Sequence, residues 1–437
     1  MYEIIVGRKE EDRKRYGLKG SVLLGKQYVQ MGQTTSLSNN VYIDVNQSHV
    51  VFVAGKRGSG KSYSLSAIAE GIMSLEPEIR QNLSMILLDT MGVFWTMKFP
   101  NKKDEQLLKE WKLEPKGMDV QIFTPIGSYD KQKKEGVPTD FKFAIKPSEL
   151  DIDDWCNTFE IKRTSEVGIL IEKVINYLSS NKENYSIQDI IDTIHDDLKT
   201  EQKVKDAAIN RFENAKSWGL FDTKGTELKD LAIGGKITVL DVSAYATQPN
   251  GWAIKNLLVG LVAKKLFIER MKIRRQEEFE EIKSKQEYFK ENDVQEKKKE
   301  PLVWLLLDEA HEFLDKEGKS ASANALISIL REGRQPGISL VLATQQPGKI
   351  HTDVMTQSDI VISFRLTAEI DTSALKMLAQ SYMRSGIEDN INMLPKVPGA
   401  CVILDDANER TFQMQIRPKL TWHGGSAPTA IPEKKEL

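Results

Sequence analysis

Short, mostly apolar runs, closed by glycine, an acid or a polar turn, recur at 50–54, 85–88, 120–124, 141–145, 236–242, 302–307, 338–343, 359–366, 400–404 and 411–416. Runs without an alternating polar face predict strands buried on both sides, the habit of a parallel sheet covered by helices. Between them stand segments with apolar residues at helical spacing, at 62–75, from about 253 through 267, and at 321–330. The alternation predicts an α/β fold with a central, mainly parallel sheet. From 148 to about 220 the period changes, with Trp155/Phe159, Val167/Leu170/Ile171/Val174/Ile175/Leu178 and Ile187/Ile190/Ile191/Ile194/Leu198 on helical faces. Four helices fit that length, Ser186 reading as an N-cap ahead of Asp189. A helical bundle, with its Trp and Phe residues as core, is expected to interrupt the α/β unit.

The expected organisation is a short N-terminal β segment (1–49), a first part of the core (50–147), the inserted four-helix bundle (148–222), a second part of the core (223–418) and a tail (419–437). Before residue 50 only 22–25 and 41–45 read as short strands. Residues 270–300 are almost wholly charged with both signs mixed, which predicts a solvated helix or linker. Beyond Thr421 no hydrophobic period is left, so the tail is expected to be disordered or held by a partner.

The run at 50–54 leads into Gly55-Lys56-Arg57-Gly58-Ser59-Gly60-Lys61-Ser62, which fits G-x-x-x-x-G-K-[ST] at every fixed position and is followed by Tyr63 and an apolar helix. Small residues between a strand and a helix let backbone N–H groups surround phosphate oxygens, and a bulky side chain at Gly58 or Gly60 would block that approach. Lys61 would place a cation at the β- and γ-phosphates, and Ser62 a hydroxyl on Mg²⁺. The run at 302–307 ends in Asp308 and Glu309, the first suited to the Mg²⁺ shell and the second to orienting the attacking water. Together these features predict a RecA-like P-loop NTPase core using ATP and Mg²⁺. Asp89, closing the run at 85–88, has two readings: a strand-end acid facing the nucleotide, or a cap for the turn that follows.

After 338–343 comes Thr344-Gln345-Gln346, and Gln345 at a strand tip is placed to sense a γ-phosphate. Arg331 and Arg334 near a helix end complement its dipole, or reach a neighbouring subunit's γ-phosphate as arginine fingers. His311 is expected to be a helix-start residue.

Composition adds bounds. The chain has 437 residues, 40% hydrophobic, enough for a large core. No run approaches membrane-spanning length and the start lacks a signal-peptide shape, so a cytoplasmic protein is expected. Cys156 and Cys401 stand far apart without neighbouring His or Cys, which argues against a disulfide framework or a zinc site. A net charge of −2 argues against a globally basic coat but leaves open a positive channel on one surface.

The order of these parts resembles the HerA branch of the HerA/FtsK ATPases: G-K-R-G-S-G-K-S, the strand I-L-L-D, the helical insertion, G-K-I-T-V-L-D-V-S, L-L-L-D-E-A-H, R-E-G-R-Q-P-G-I-S-L-V-L-A-T-Q-Q-P and I-R-P-K-L-T-W-H-G-G. The resemblance implies a homohexameric, ATP-driven motor on double-stranded DNA, acting with a nuclease or another effector in end processing or anti-phage defence. It carries nucleotide roles to Gly60, Lys61, Ser62, Asp308, Glu309 and Gln345, makes Arg334 the finger in trans, and puts DNA contacts on the loop bearing Lys316 and Lys319. Fewer than fifty residues precede the P-loop strand, where the family has a barrel that helps dock the nuclease. Two other readings stay open: a nucleotide-gated scaffold that recruits an effector, and a conjugation or secretion ATPase.

Overall fold

The computed structural model describes residues 2–31, 34–287, 300–318, 320–366, 371, 373–375 and 390–425. Thirteen strands of these residues join one sheet. They are β1 (Ile4–Val6), β2 (Ser21–Met31), β3 (Thr34–Asp44), β4 (Val50–Ala54), β5 (Leu83–Asp89), β6 (Val120–Pro125), β7 (Phe141–Phe143), β8 (Ile237–Asp241), β9 (Leu302–Leu307), β10 (Ile338–Thr344), β11 (Ile360–Phe364), β12 (Ala400–Asp405) and β13 (Arg410–Ile416). Their order is β1-β3-β2-β13-β12-β11-β4-β10-β9-β5-β8-β6-β7. From β11 to β7 every pairing is parallel. From β11 outward through β12, β13, β2 and β3 every pairing is antiparallel, and β1 closes that end parallel to β3.

The parallel half explains the mostly apolar runs. Successive side chains point to opposite faces, and both faces are covered. Phe52, Ala54, Leu305, Leu307, Leu340 and Leu342 enter one core with the long helix Gly251–Glu287 and the helices between β7 and β8. Val51, Val53, Trp304, Leu306, Val341 and Ala343 enter the other with Leu65, Ile68 and Ile72 of the helix Lys61–Met73. Between β7 and β8 lie helices Ile152–Thr158, Glu166–Asn181, Ile187–His195 and Gln202–Ser217. Ser186 caps the third in a reciprocal box with Asp189, and Trp155 packs against Phe159, Phe212 and Phe221.

Two expectations are corrected, those for the N-terminal strands and for the tail. The N-terminal strands are not short: β2 and β3 are eleven residues each, and their polar outer parts hid them from an apolar search. Ahead of them stands a helix, Glu10–Tyr16, with acids in its first turn and bases in its last. The tail through Gly425 is tied down by its own chain, because fully buried Glu70 accepts hydrogen bonds from Leu420 N (2.9 Å), Thr421 N (3.0 Å) and Thr421 Oγ1 (2.5 Å). Arg417 donates to the same carboxylate at 3.0 Å and to the carbonyls of Ala67, Leu23 and Pro418. Of the charged stretch, the part over 270–287 is helical and 288–299 lies outside the described residues.

Where β4, β10 and β11 begin, a second polar cluster is closed on itself. Buried His49 contacts Asp359 at 2.6 Å and Asp44 at 3.3 Å, and Arg8 pairs with Asp44 while donating to the carbonyls of Gly17 and Gly20. Burial alone would lower the imidazole's pKa; the hydrogen bonds to Asp359 and Asp44 override it and hold it up at about 9. Cys156 and Cys401 are both free and buried, with no thiol partner.

Candidate nucleotide site

At the other edge, β4 runs into the glycine-rich loop. Gly55 N donates to Thr344 O at 3.2 Å, carrying the β4–β10 ladder one residue further. A Cβ on Gly55 would lie 2.5 Å from Ser59 Oγ and 2.6 Å from Phe364 Cβ, so the close approach requires glycine. Gly58 and Gly60 have φ of +76° and +116°; a Cβ on Gly58 would meet nothing within 4 Å, so backbone conformation is its requirement. Gly60 caps the helix Lys61–Met73 without a side-chain bond, which leaves first-turn N–H groups directed out of the helix, the arrangement that suits an anion. Ser59 Oγ is buried and has no hydrogen-bond partner.

β10 lies between β4 and β9, so the tips of three strands converge. Ser62 Oγ donates to Asp308 Oδ2 across this gap. Gln345 Nε2 donates to Glu309 Oε1 at 2.7 Å, while Glu309 Oε2 is buried without a hydrogen-bond partner. Glu309 has φ +52°, a costly left-handed conformation for this residue that its surroundings must enforce. Burial and the adjacent Asp308 charge push its carboxyl up to about 7. Lys61 is buried, its Nζ donating to Lys56 O at 3.2 Å; burial lowers its pKa against the pull of Glu309 and Asp308. Tyr63 stands on the first helical turn with its hydroxyl accepting from Lys419 N at 2.6 Å and His423 edge-on to its ring.

The structure therefore brings Gly55, Gly58, Ser59, Gly60, Lys61, Ser62, Asp308, Glu309 and Gln345 together. It does not bring Asp89. β5 stands three places from β4, beyond β10 and β9, and the Asp89 carboxylate accepts from the backbone N–H groups of Met91, Gly92, Val93 and Phe94. It is the turn cap, and burial with the neighbouring Asp241 charge pushes its carboxyl up to about 7 against those donors. Arg331 and Arg334 differ as well. Arg331 Nε donates to Asp353 at 2.6 Å within the chain, whereas exposed Arg334 makes no ion pair among the described residues. Lys316 is exposed on the turn after β9, and Lys319 lies outside the described residues.

His311 is the helix-start residue that the sequence predicts, and it also borders the site. It sits in the turn Ala310–Glu312, and its Nδ1 lies 3.0 Å from Thr344 Oγ1 and 3.6 Å from Glu309 Oε2. Its place two residues after Glu309 was the available signal.

The donor set fits a magnesium nucleotide. A hydroxyl and a carboxylate supply hard oxygen ligands, and no group of three His, Cys, Asp or Glu able to hold a metal occurs among the described residues. That is how Mg²⁺ is usually held: one or two protein oxygens, with substrate phosphates and water completing the shell.

The family model described as "Helicase HerA, central domain" matches residues 29–262, more than half of the chain. The chain belongs to the HerA family of P-loop ATPases. Among curated HerA proteins, the DNA double-strand break repair helicase HerA of Pyrococcus furiosus is 24% identical over 177 residues, 40% of this chain and 31% of that protein. The probable DNA double-strand break repair helicase HerA of Methanocaldococcus jannaschii is 28% identical over 87 residues, 20% of this chain and 17% of that protein. The chain thus matches less than a third of either HerA relative. VirB4 of Thermoanaerobacter pseudethanolicus shares the fold at TM-score 0.53 and 11% identity, covering 91% of this chain and 96% of that one. The family match ends before Asp308 and does not reach Asp308, Glu309 or Gln345. No helix among the described residues is long and apolar enough to cross a membrane.

Proposed function

We propose that the protein is an ATP-hydrolysing ring motor that translocates on double-stranded DNA, with each site completed by a neighbouring copy. The observation that carries this reading is the convergence of Ser62, Asp308, Glu309 and Gln345 around Lys61 at the tips of β4, β9 and β10. Backbone N–H groups of 55–62 and Lys61 would hold the triphosphate. Ser62 and Asp308 would hold Mg²⁺, which when bound neutralises phosphate charge. Glu309 orients water and accepts its proton, and Gln345, bonded to Glu309 across the strand tips, links that carboxylate to the state of the γ-phosphate.

The DNA substrate is supported by the repair-helicase relatives and by an exposed turn bearing Lys316. Loops moving on phosphates grip without sequence preference and loosen with salt. A homohexamer and a nuclease or other effector partner belong to the same reading. Its test is ATP turnover with and without blunt duplex DNA, the effector being absent. Stimulation by duplex is expected; turnover indifferent to DNA would favour a nucleotide-gated scaffold, and no turnover would remove the enzyme reading.

A further inference from the structure

On the edge where β9 and β10 begin, an open basin of ≈ 260 Å³ is lined by residues that include Arg270, Arg274, Gln47, Ser48, Arg334 and Gln335. Arg270 is the unusual member. It is 3% exposed, and among the described residues it makes no ion pair. Its Nε instead donates to Pro336 O at 2.8 Å and its Nη1 to Glu300 O at 3.5 Å. Gly337 lies against it with φ +79°, and a Cβ there would lie 2.4 Å from Leu302 Cδ2 and 3.1 Å from Arg270 Nη2. Burying a guanidinium for two carbonyl partners and the charges of Glu277 and Glu300, neither close enough to form an ion pair, is unfavourable for stability alone. The bond does, however, fix the end of the loop that bears Arg334, whose turn is closed by Gly337 N to Arg334 O and Ile338 N to Gly333 O.

Arg334 cannot serve its own subunit's nucleotide. The seven residues of β10 separate it from Gln345, ~20 Å at a strand's rise per residue. Its guanidinium is exposed and unpaired among the described residues, and Arg274, paired with Glu277 and Glu278, stands over the same basin.

We propose that Arg270 is the positioning residue for Arg334. By holding the Pro336 carbonyl from beneath, it sets the direction in which Arg334 leaves the subunit, so that the terminal phosphate of a nucleotide on a second copy meets a guanidinium already in place. This rests on the shared-site reading above. It also gives the long helix, which carries Arg270 and extends to Glu287, a mechanical connection to the neighbour's chemistry.

The test is Arg270→Lys, which keeps the cation but offers no planar fork. Amide exchange at Gly337 and Ile338 should accelerate about tenfold while Leu340 to Leu342 stay protected. ATP turnover should fall about tenfold with KM for ATP little changed. Mixing Arg270→Lys with Lys61→Ala subunits should restore part of that turnover, because each supplies the half that the other lacks. Unchanged exchange in the loop would refute the positioning role, and loss without rescue would refute action on a neighbour. A drop in duplex affinity and its salt slope, with DNA-free turnover intact, would make the basin a DNA contact instead. If the wild-type protein hydrolyses no ATP, the functional reading falls while the exchange measurement still decides whether Arg270 holds the loop. Should Arg270→Lys fold poorly, Arg270→Gln is read the same ways.

Discussion

The two edges of the parallel sheet carry polar clusters of opposite character. Where the strands begin, Arg8, Asp44, His49 and Asp359 satisfy one another and nearby carbonyls. Where they end, Ser59 Oγ and Glu309 Oε2 are buried without hydrogen-bond partners, and Glu309 is held in a left-handed conformation. Buried polar groups are normally satisfied. Ser84, Thr90, Gln121, Trp155 and Trp218 also carry buried atoms without partners, so the mark of the site is the coincidence of such atoms with the left-handed backbone of Glu309. Burial alone would not have separated the two.

If that contrast is right, substitutions at the two edges should separate rate from stability. The largest effect is expected from Glu309→Gln, which keeps the Gln345 contact geometry but removes the base: turnover should fall ~10²–10⁴-fold while nucleotide still binds, as a fluorescent-nucleotide titration would show. Near-normal turnover would sink the assignment. At the other edge Arg8→Met should cost about 3–5 kcal/mol in chemical denaturation, the range for breaking a buried pair, with turnover per folded molecule unchanged. A loss of rate without a loss of stability would erase the distinction between the edges.

His49 adds a pH dependence. Its folded-state pKa of about 9 lies above the unfolded value of 6.5, so its contribution is fully present below pH 6.5 and is lost as pH rises through 9. Stability should therefore fall by on the order of 3 kcal/mol over that window, and His49→Gln should flatten the curve. A curve equally steep in His49→Gln would assign the loss to other groups. The smallest effect is expected at Ser59→Ala. Removing a buried hydroxyl that bonds nothing should leave stability within about 1 kcal/mol of wild type and weaken nucleotide binding; a clear loss of stability would mean that Ser59 is structural.

Much of this was legible in the sequence. Gly55–Ser62 and the strand ending in Asp308 and Glu309 combine a fixed spacing with an apolar run, and both survive translation into geometry. Gln345 could be placed because the strand after the acids ends beside them. Asp89 could not, because sheet order is set by long-range pairing and nothing local says that β10 and β9 separate β5 from β4. Thr421, where the expected loose tail begins, and the residues leading into it from Arg417 hide their anchoring for a related reason. They are held by one buried carboxylate, and a polar hub leaves no period for hydrophobic patterning to detect.

That hub governs where the polypeptide can be shortened. Trimming it after Ile416 would strip Glu70 of every donor named above and leave a bare carboxylate inside the helix that begins at Lys61.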